Sequence, residues 1–432
     1  MIEAKKVINE LEKRYNRLVG TSATNLCTHC GWCIESCHIY KATGNPEHSP
    51  VAKAEKVRKV LKRKHDWLSR IFPKWTGAAD LSEKDIDDWI EAAFKNCTLC
   101  ERCVVNCPMA VETPQILGAA RGVLTSMGKN PEILTQLTDS AIAREENLEM
   151  MEGFFRKQIR KLEKQVQDKL GDPKASIPIS EEADILYVPL SGVHTMVPAA
   201  TIFNAANASW SMSLFEASNY GLFIGDIPKA KKIVERILKE AERVKAKTLV
   251  VTECGHAYGV LKWEAPKWFN KKFDFEVKSL LEVMDDYVSQ GLLQIDPSKN
   301  PEPVTYHDPC NMGRKGGIFE EPRRVIQAAS MDYREMTPNR VENFCCGGGA
   351  GLVACSDWTE ERLLYGSTKV DQIRDIKVSK VVTACDNCLH QIQELGEKND
   401  LGITVSNVSQ YLVNALVIPE RGKIQKDKIL QA

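Results

Sequence analysis

The chain has 432 residues, which is enough for two or three domains with hydrophobic cores of their own. It carries 58 Lys and Arg against 58 Asp and Glu, and this zero net charge argues against a nucleic acid as a partner. No stretch of about 18 apolar residues is present to span a bilayer, and the charged first twenty residues lack a signal-peptide core. We therefore expect a cytoplasmic protein, with any attachment to the inner face of the membrane made through a partner subunit.

Fifteen cysteines stand out in this composition, and most of them occur in clusters. Disulfide bonds are rare in cytoplasmic proteins, so clustered cysteines in such a chain usually bind a metal or take part in redox chemistry. The odd number of cysteines fits that interpretation better than a framework of paired disulfides. A metal-binding redox protein is therefore predicted.

The first part of the chain is predicted to be mainly helical. Apolar residues at helical spacing predict an amphipathic helix over 2–18 and a charged helix over 155–170, which ends at the Gly-Asp-Pro sequence that follows. Between these helices lie two cysteine-rich segments, 27–37 and 97–107, joined by a helical insertion. The basic stretch 53–64 of that insertion is expected to be a solvent-exposed helix face rather than a binding site.

From Glu181 onward, short apolar runs alternate with helical patterns, which predicts α/β layers. The expected strands are 184–190, 248–252, 304–307 and 380–384. The expected helices are 228–244 and 320–329.

An internal repeat runs through this α/β region. The sequence Thr-Leu-Val-Val-Thr-Glu-Cys over 248–254 resembles Lys-Val-Val-Thr-Ala-Cys over 380–385, and 186–191 can be laid on 305–310. Two pseudo-symmetric α/β domains are therefore predicted. The expected division of the chain is a helical domain over 1–130, a helical connector over 131–180, and α/β domains over 181–300 and 301–432.

Eight cysteines form two copies of the motif C-x-x-C-x-x-C-x-x-x-C. Three cysteines at this spacing let one loop hold three corners of a cubane [4Fe–4S] cluster, and in two-cluster ferredoxins the fourth cysteine reaches the other cluster. The predicted ligand sets are Cys27, Cys30, Cys33 and Cys107 for one cubane, and Cys97, Cys100, Cys103 and Cys37 for the other. A zinc site is disfavoured because it usually uses two separated C-x-x-C pairs. His38, which stands where proline is usual, is expected outside the complete thiolate set.

Five further cysteines lie at predicted strand ends or in a glycine-rich loop, where separate segments can converge: Cys310, Cys345, Cys346, Cys385 and Cys388. Adjacent cysteines such as Cys345 and Cys346 are awkward ligands for one cubane and suit a cluster with bridging thiolates. A structural zinc site is one alternative. A phosphate-binding loop is another, since Gly347–Gly351 is rich in glycine, but the Lys-Ser/Thr of a Walker motif is absent.

Over residues 20–415 the chain resembles the catalytic subunits of the heterodisulfide reductase family. It looks like the D subunit of heterodisulfide reductase and, more closely, the K subunit of the sulfite-reductase-linked membrane complex. The segments that carry the resemblance are CHIYKATGNP from Cys37, ECGHAY from Glu253, HDPCN from His307, FCCGGG from Phe344 and ACDNC from Ala384.

This resemblance implies that the five cysteines bind one noncubane [4Fe–4S] cluster, at which a disulfide or related sulfur–sulfur bond is cleaved. The fold it implies is an N-terminal, mostly α-helical ferredoxin-like domain followed by two α/β domains of the CCG type. The first of these is expected to be degenerate, because it keeps only Cys254. Its other positions carry Ser191 where Cys310 is expected, Ser211 and Met212 near the paired cysteines, and Ala257 in place of Cys388.

Several residues near these motifs have two interpretations each. Cys254 is either inert core or a residue that contacts or captures the sulfur substrate, whereas Cys355 is expected in the core. His256 and His307 are candidate proton donors to the leaving thiolates, with loop support as the alternative. The neighbouring cations, Arg314 and Lys315, are expected at the surface.

The leading hypothesis is an oxidoreductase subunit of a larger redox complex. Electrons would come from a partner, such as a membrane cytochrome b subunit that oxidises quinol, and pass through the two cubane clusters to the noncubane cluster. A disulfide, trisulfide or persulfide on a small thiol or a carrier protein would be reduced there, or formed in reverse. The alternatives are a non-catalytic electron relay linked to a flavoprotein, dehydrogenase or reductase, and an iron–sulfur subunit of a lactate or glycolate oxidase.

Overall fold

The computed structural model describes residues 26–146, 148–190 and 192–418, together with Lys6, residues 9–11, Arg14 and Gly20. The helix predicted over 2–18 therefore lies largely outside the described residues, and Ser191 lies wholly outside them. The described chain is α/β, as predicted, with helices first and two parallel sheets afterwards. No helix within these ranges is both long and apolar enough to cross a bilayer.

The N-terminal region is a bundle of helices around the cysteine loops. The helices are α1 (His38–Thr43), α2 (Pro50–His65), α3 (Trp67–Ile71), α4 (Pro73–Thr76), α5 (Glu83–Ile90), α6 (Arg102–Val105) and α7 (Thr113–Ser126). Ser49 caps α2 by accepting a hydrogen bond from the amide of Ala52, and Pro50 fills the first turn, where its missing N–H does no harm. The bundle encloses an apolar core that includes Leu61 and Trp89.

Helix α2 differs from the prediction that its basic stretch faces solvent. Lys53 and Arg58 are only 2% and 1% exposed. Lys53 shares the buried face with Val57 and Leu61, because residues four apart lie one above the other on a helix. The charges of this stretch therefore divide between an outer face and an inner face that points at the cysteine loops.

Two longer helices, α8 (Glu132–Glu146) and α9 (Leu148–Leu170), connect the bundle to the α/β region. Helix α9 ends where the sequence predicted, at Gly171, whose left-handed φ of 58° suits glycine. Ile159 and Val166 of α9 are buried in the α/β core, so the second half of this helix packs against the α/β region.

The first α/β unit contains a parallel sheet in the order β2-β1-β3-β4. Its elements are β1 (Ile185–Val188), α10 (Val193–Ala205), β2 (Trp210–Met212), α11 (Tyr220–Ile224), α12 (Ile227–Arg243), β3 (Thr248–Val251), α13 (Gly255–Gly259), α14 (Ala265–Phe269), β4 (Glu276–Ser279) and α15 (Leu280–Ser289). All three strand pairs are parallel, so the carboxyl ends of the strands lie at one edge.

The second α/β unit contains a parallel sheet in the order β5-β6-β7. Its elements are β5 (Val304–His307), α16 (Glu320–Ala328), α17 (Thr359–Tyr365), α18 (Ser367–Ile376), β6 (Lys380–Thr383), α19 (Asp386–Lys398), β7 (Thr404–Asn407) and α20 (Val408–Ala415). One apolar core, which includes Leu186, Val250, Val382 and Leu412, runs through both units. The two units therefore pack against each other through a shared hydrophobic core.

The two sheets are paired in the same register. Ile185, the first residue of β1, pairs with Trp210 on one side and with Thr248 on the other. Val304, the first residue of β5, likewise pairs with Tyr333 on one side, through an isolated bridge, and with the first residue of β6 on the other. The outer strands β4 and β7 also start level with the first residues of β3 and β6.

The four predicted strands correspond to β1, β3, β5 and β6, with ends that differ by at most two residues. The unpredicted strands β2, β4 and β7 are only three or four residues long and contain Ser211, Lys278 and Ser406. These segments contain no continuous apolar run that would have predicted a strand. They are extended because they pair with neighbouring strands.

Arg121 of α7 ties the three parts of the structure together. Its buried guanidinium donates hydrogen bonds to four backbone carbonyls, those of Ala93 at 2.8 Å, Cys97 at 2.9 Å, Phe223 at 2.7 Å and Ala350 at 2.9 Å. Two of these carbonyls belong to the helical bundle and one to each α/β unit. Burial lowers the pKa of Arg121 to about 10, so the side chain remains a cation at neutral pH.

Replacing Arg121 should therefore weaken the whole assembly. We expect Arg121→Met to lower the free energy of unfolding by about 3 kcal/mol, because buried carbonyls lose their donors. Arg121→Lys should recover only part of the lost free energy of unfolding, since one ammonium cannot reach all four carbonyls. Denaturant unfolding of anaerobically purified protein measures both. Arg374→Met, which removes a half-exposed cation, is the control; an Arg121→Met variant as stable as this control would contradict the expectation.

Candidate metal centres and the adjoining cavity

The first cysteine set lies at the surface of the helical bundle. Cys33 has Cys27, Cys30 and Cys107 as neighbours, and burial followed by the electrostatic influence of these residues raises the pKa of Cys33 to about 11. The same residues line one pocket, and Cys30 is exposed to solvent. The structure thus brings together the four cysteines that the motif spacing assigned to one cubane.

The second cysteine set lies deeper. Burial, followed by its neighbours Cys100, Cys97 and Cys37, holds the pKa of Cys103 well above its usual value. These four residues line one pocket together with Lys53. The crosswise exchange of fourth cysteines is therefore present in the geometry, since Cys37 lies with the second loop and not with its own.

Both cysteine loops use the same backbone turn. The residue just before the second cysteine, His29 in one loop and Leu99 in the other, has a left-handed φ of 56° and 51°. Gly31 and Glu101 repeat this conformation two positions later, with φ of 77° and 64°. This turn points successive cysteines toward one centre. The amide of Leu99 also donates to the sulfur of the first cysteine in its loop at 3.4 Å, a contact typical of cluster-binding loops.

A buried lysine fits the second set to a negatively charged metal cluster. The Nζ atom of Lys53 lies 3.5 Å from the sulfur of Cys37 and donates to the carbonyl of Asn96 at 2.7 Å. A buried ammonium is costly unless a negative charge compensates it. Neutral thiols cannot supply that charge, whereas four thiolates around a [4Fe–4S] cluster can. The charge of Lys53 therefore agrees with a cluster at this set.

The third cysteine set collects residues from three separate segments. Cys310 follows β5, Cys385 follows β6 and caps the amino end of α19, and Cys388 lies in the first turn of that helix. Cys345 and Cys346 come from the loop between α16 and α17. The sulfurs of Cys346 and Cys388 are 3.3 Å apart. Since β5 and β6 are parallel, their carboxyl ends deliver these cysteines to the same edge of the sheet.

Glycine allows the paired cysteines to sit this close to the helices. Gly347 has a φ of 100°, and a Cβ atom there would lie 2.9 Å from the carbonyl oxygen of Arg362. A larger residue would push the loop away from α17. The glycine after Cys345 and Cys346 is therefore a packing requirement of this site, and not part of a phosphate-binding loop.

The surroundings of the third set fit an iron–sulfur cluster. Five thiols converge in an apolar pocket with Met336, Ile373 and Val381. The ring of His307 lies within 4.8 Å of the sulfurs of Cys346 and Cys388, and neither of its buried nitrogens has another hydrogen-bonding partner in the described chain. An all-sulfur donor set with two adjacent cysteines favours iron over the hard cations that prefer oxygen.

The polar neighbours of this set are tuned by burial. Burial lowers the pKa of His307, so the imidazole stays neutral at physiological pH. Burial also lowers the pKa of Lys369 to about 8, although thiols of the set lie nearby. Lys369 donates to Asn343 at 2.8 Å and to Gln372 at 2.6 Å, so its position is fixed. Sequence reasoning missed this lysine, because nothing in its helix distinguishes it from other basic residues.

The second and third sets are in direct contact. A ring nitrogen of His38 and the sulfurs of Cys100 and Cys345 all lie within 4.8 Å of one another. His38 is buried at this contact, next to two cysteines that the sequence assigned to different clusters. The first and second sets are also contiguous, because Cys103 lines the pockets of both. The three sets therefore form an unbroken series from the surface inward.

Two cations expected at the surface instead hold this contact. Arg314 donates to the carbonyls of Cys100 at 2.6 Å and Asn343 at 2.5 Å. Lys315 forms a 2.8 Å ion pair with Glu101, in the loop of the second set. Both residues are only partly exposed, and the sequence could not predict these contacts because their partners in this loop lie more than two hundred positions away.

A cavity of about 350 Å³ adjoins the third set. Cys254 and Cys385 both line it, each at the amino end of a helix that follows a central strand. Gly255 brings this wall close to the segment after Cys310, because a Cβ atom on it would lie 2.2 Å from the amide nitrogen of Met312. The cavity therefore lies between the two α/β units, with one cysteine contributed by each.

Burial keeps two ionisable groups of the cavity wall, Cys254 and His256, neutral. Burial, then the neighbouring Cys385, raises the pKa of Cys254 to about 12, so it is a thiol and not a thiolate at neutral pH. Burial lowers the pKa of His256 to about 3. Its Nδ1 accepts from the side-chain amide of Asn311 at 2.7 Å, which assigns the proton of the neutral ring to Nε2.

Sequence reasoning missed a polar pair beside the cavity. His194 of α10 lies 2.7 Å from the carboxylate of Asp386, which follows Cys385 and lines the cavity. The hydrogen bond to Asp386 raises the pKa of His194. Asp386 could have been found within the ACDNC segment, whereas His194 carries no signal because its partner lies 192 positions away.

Two other sequence interpretations are informed by the packing. Cys355 is buried in the core of the helical bundle, and burial raises its pKa to about 11. Ser211 and Met212 follow Trp210 in β2, and Trp210 occupies the register of Tyr333 in the second sheet. By this register they lie level with 334 and 335, ahead of the loop that carries the paired cysteines, and their correspondence to those cysteines stays a prediction.

Comparison with known protein families agrees with these sites. Residues 23–111, which contain the first two cysteine sets, match the family described as 4Fe-4S dicluster domain. Residues 304–393, which contain the third set, match the family described as cysteine-rich domain. The chain therefore combines a dicluster domain with a cysteine-rich domain.

Curated relatives extend over most of the chain. An Hdr-like menaquinol oxidoreductase iron-sulfur subunit 2 of Archaeoglobus fulgidus is 26% identical, over 94% of this chain and 81% of the relative. The D subunit of a dihydromethanophenazine:CoB--CoM heterodisulfide reductase of Methanosarcina mazei is 25% identical, over 90% of this chain and 93% of the relative. The predicted resemblance to the D subunit of heterodisulfide reductase is confirmed. An EtfAB:quinone oxidoreductase of Syntrophomonas wolfei is also 25% identical, over 85% of this chain and 54% of the relative.

The crosswise arrangement of the first two cysteine sets can be tested by pairing variants. Cys37→Ser should abolish the same EPR signal of the reduced protein as Cys97→Ser, and Cys107→Ser the same signal as Cys27→Ser. Iron content should fall correspondingly in each variant, measured on anaerobically purified protein. Cys355→Ser is the control and should keep every signal. A Cys37→Ser spectrum that matches Cys27→Ser would show that each loop fills its own cluster.

Proposed function

We propose that this chain is the iron–sulfur subunit of a redox complex in which a disulfide, trisulfide or persulfide is reduced, or formed in the reverse direction. The observation that carries the proposal is the cavity shared by Cys254 and Cys385, which adjoins the five-cysteine set. The substrate class is a sulfur–sulfur bond on a small thiol or on a carrier protein. The name of the Methanosarcina mazei relative, a heterodisulfide reductase, supports that class.

The order of the cysteine sets supports a path for electrons. The first set has an exposed member, Cys30, and so offers a place where another subunit can bind. The second set touches the third through Cys100 and Cys345, and the third lies beside the cavity. We assign a cubane [4Fe–4S] cluster to each of the first two sets and a noncubane [4Fe–4S] cluster to the third. Bound clusters supply the one-electron steps of which a two-electron cleavage consists.

Cleavage of a sulfur–sulfur bond by two electrons needs two protons, one for each thiol released. His256 keeps a proton on Nε2 at the cavity wall because burial holds its imidazole neutral. His194 and Asp386 form a second polar pair beside the cavity, linked at 2.7 Å. The His194–Asp386 pair can deliver protons, because Asp386 raises the pKa of His194, whereas the neutral His256 can donate a hydrogen bond to a developing thiolate. His307 also stays neutral against the sulfurs of Cys346 and Cys388.

The matching registers of the two sheets support the proposal that the α/β units are repeats, of which the first lacks a cluster. Cys254 and Cys385 each cap a helix after the central strand of their unit. Ala257 stands three positions after the cap in the first unit, where Cys388 stands in the second. A unit without a cluster leaves space opposite the five-cysteine set, and that space is where we expect the substrate.

The electron source is proposed to be quinone-linked. Relatives of this chain are named menaquinol oxidoreductase and quinone oxidoreductase. A membrane cytochrome b subunit that oxidises quinol is a partner of suitable chemistry. The same names also favour the second candidate function, a non-catalytic relay, because the EtfAB:quinone oxidoreductase name mentions no sulfur substrate.

A ligand variant separates catalysis from relay. With reduced viologen as donor, the protein should reduce a disulfide, trisulfide or carrier-bound persulfide, and Cys385→Ser should lower the rate by more than about 100-fold. The cubane EPR signals should persist, because Cys385 belongs to the third set. Cys355→Ser should keep full activity. If no sulfur substrate is reduced while electrons still flow through the purified complex, the chain is a relay.

Cys254 gives an independent test of the cavity. We expect Cys254→Ser to slow sulfur-substrate turnover by about 10- to 100-fold with all clusters intact, because the side chain faces the substrate from the unit without a cluster. Iron content and EPR spectra establish that the clusters are unchanged. Full turnover by this variant would assign Cys254 to inert packing and leave the proposal for the five-cysteine set standing.

A further inference from the structure

Four large apolar side chains are exposed together at one end of the helical bundle. Trp67, Ile71, Phe72 and Trp75 are 70%, 60%, 56% and 77% exposed, and all four fall within nine residues. Soluble proteins seldom leave such a group open to water unless it contacts another surface. We call residues 67–75 the aromatic hairpin, since they form the short helices α3 and α4.

The aromatic hairpin is a folded element. Asp66 caps α3 by accepting hydrogen bonds from the amides of Leu68 and Ser69, at 3.4 and 3.1 Å. Pro73 starts α4, where its fixed φ suits a first helical turn. Ser69 and Ala78 are buried and anchor both helices to the bundle. The exposed side chains are therefore presented by a fixed scaffold.

Positive charge surrounds these aromatic residues. Residues 62–75 contain five Lys and Arg but only one acidic residue, Asp66, whose carboxylate is engaged in capping α3. Lys64, Arg70 and Lys74 are exposed alongside the apolar side chains. Lys62 and Arg63 form ion pairs with Glu55 and Asp80, so the cations beside the exposed apolar side chains are Lys64, Arg70 and Lys74.

Tryptophan and phenylalanine flanked by Lys and Arg are the residues that settle at the interface between lipid headgroups and acyl chains. Basic residues beside them are attracted to anionic phospholipids. Interfaces between proteins, in contrast, are depleted in lysine at their centres. We propose that the aromatic hairpin inserts into the interfacial layer of an anionic membrane and holds this chain on the bilayer surface.

The aromatic hairpin lies near the first cysteine set. Helix α2 leads directly into it, and Arg58 of that helix lines the pocket of the first cysteine set. His65, at the end of α2, is seven residues further on, which at 1.5 Å per residue is roughly 10 Å along the helix axis. A hairpin seated in lipid would therefore hold the exposed Cys30 close to the membrane, where a quinone-linked partner would be found.

The test is binding of the full, cluster-loaded chain to vesicles by flotation. We expect binding to phosphatidylcholine vesicles that contain phosphatidylglycerol, weaker binding to phosphatidylcholine alone, and loss of binding at high salt. Trp67→Ser/Trp75→Ser should lower the vesicle affinity at least about tenfold. Arg70→Gln/Lys74→Gln should weaken binding only to the anionic vesicles. Unchanged iron content and melting temperature establish that each variant folds.

Met331→Ser is the matched control, because Met331 is 62% exposed but lies in the second α/β unit rather than in the helical bundle. It should bind vesicles as the unmodified chain does. Equal vesicle binding by Trp67→Ser/Trp75→Ser, or no binding of the unmodified chain to anionic vesicles, would overturn the proposal. If that double variant instead loses a partner subunit while the unmodified chain ignores lipid, the hairpin is a protein interface. None of these outcomes depends on the sulfur chemistry proposed above.

Discussion

The contact between the loop over residues 97–103 and the loop over residues 343–347 is the constraint on which the other sites depend. Cys100 and Cys345 meet there, and both belong to sets whose remaining members are fixed elsewhere. If this contact opened, the dicluster region would be separated from the site beside the cavity. Many interactions keep it closed, and most of them are made by cations that donate to backbone carbonyls.

Arg102, Arg314 and Lys315 illustrate how that closure works. Arg102 donates to the carbonyl of Glu342 at 2.8 Å and lies over the ring of Phe344, at 3.8 Å from its centre. Guanidinium groups suit this task, because several donors in one plane can join several chain segments. The same cations sit beside thiol sets that become negative when they bind a cluster. Their hydrogen bonds therefore hold the two loops together, and their positive charge offsets the negative charge of the bound clusters.

The sequence could predict what is local and periodic. The C-x-x-C spacing identified two loops, and the strand–cysteine–helix pattern identified the positions of Cys254 and Cys385. It could not predict the inward face of α2, where Lys53 sits against Cys37, because a basic stretch looks the same whether or not a buried anion lies opposite. The pairing of His194 with Asp386 was hidden for a similar reason, since contacts between distant segments leave no spacing to read. The short strands β2, β4 and β7 are defined by parallel pairing with central strands. Their own residues are too polar for the sequence to have predicted them as strands.

The close approach at Gly255 has a consequence for how such proteins diverge. Backbone meets backbone there, so the separation of the two α/β units is set by the main chain and not by side chains that can be exchanged. The positions of the sulfur atoms on both walls of the cavity therefore depend little on which side chains surround them. Leu214, Phe215 and Tyr220, which complete the wall, contribute side chains rather than backbone to the cavity. Substitutions among these side chains would therefore alter the shape of the cavity without moving Cys254 or Cys385.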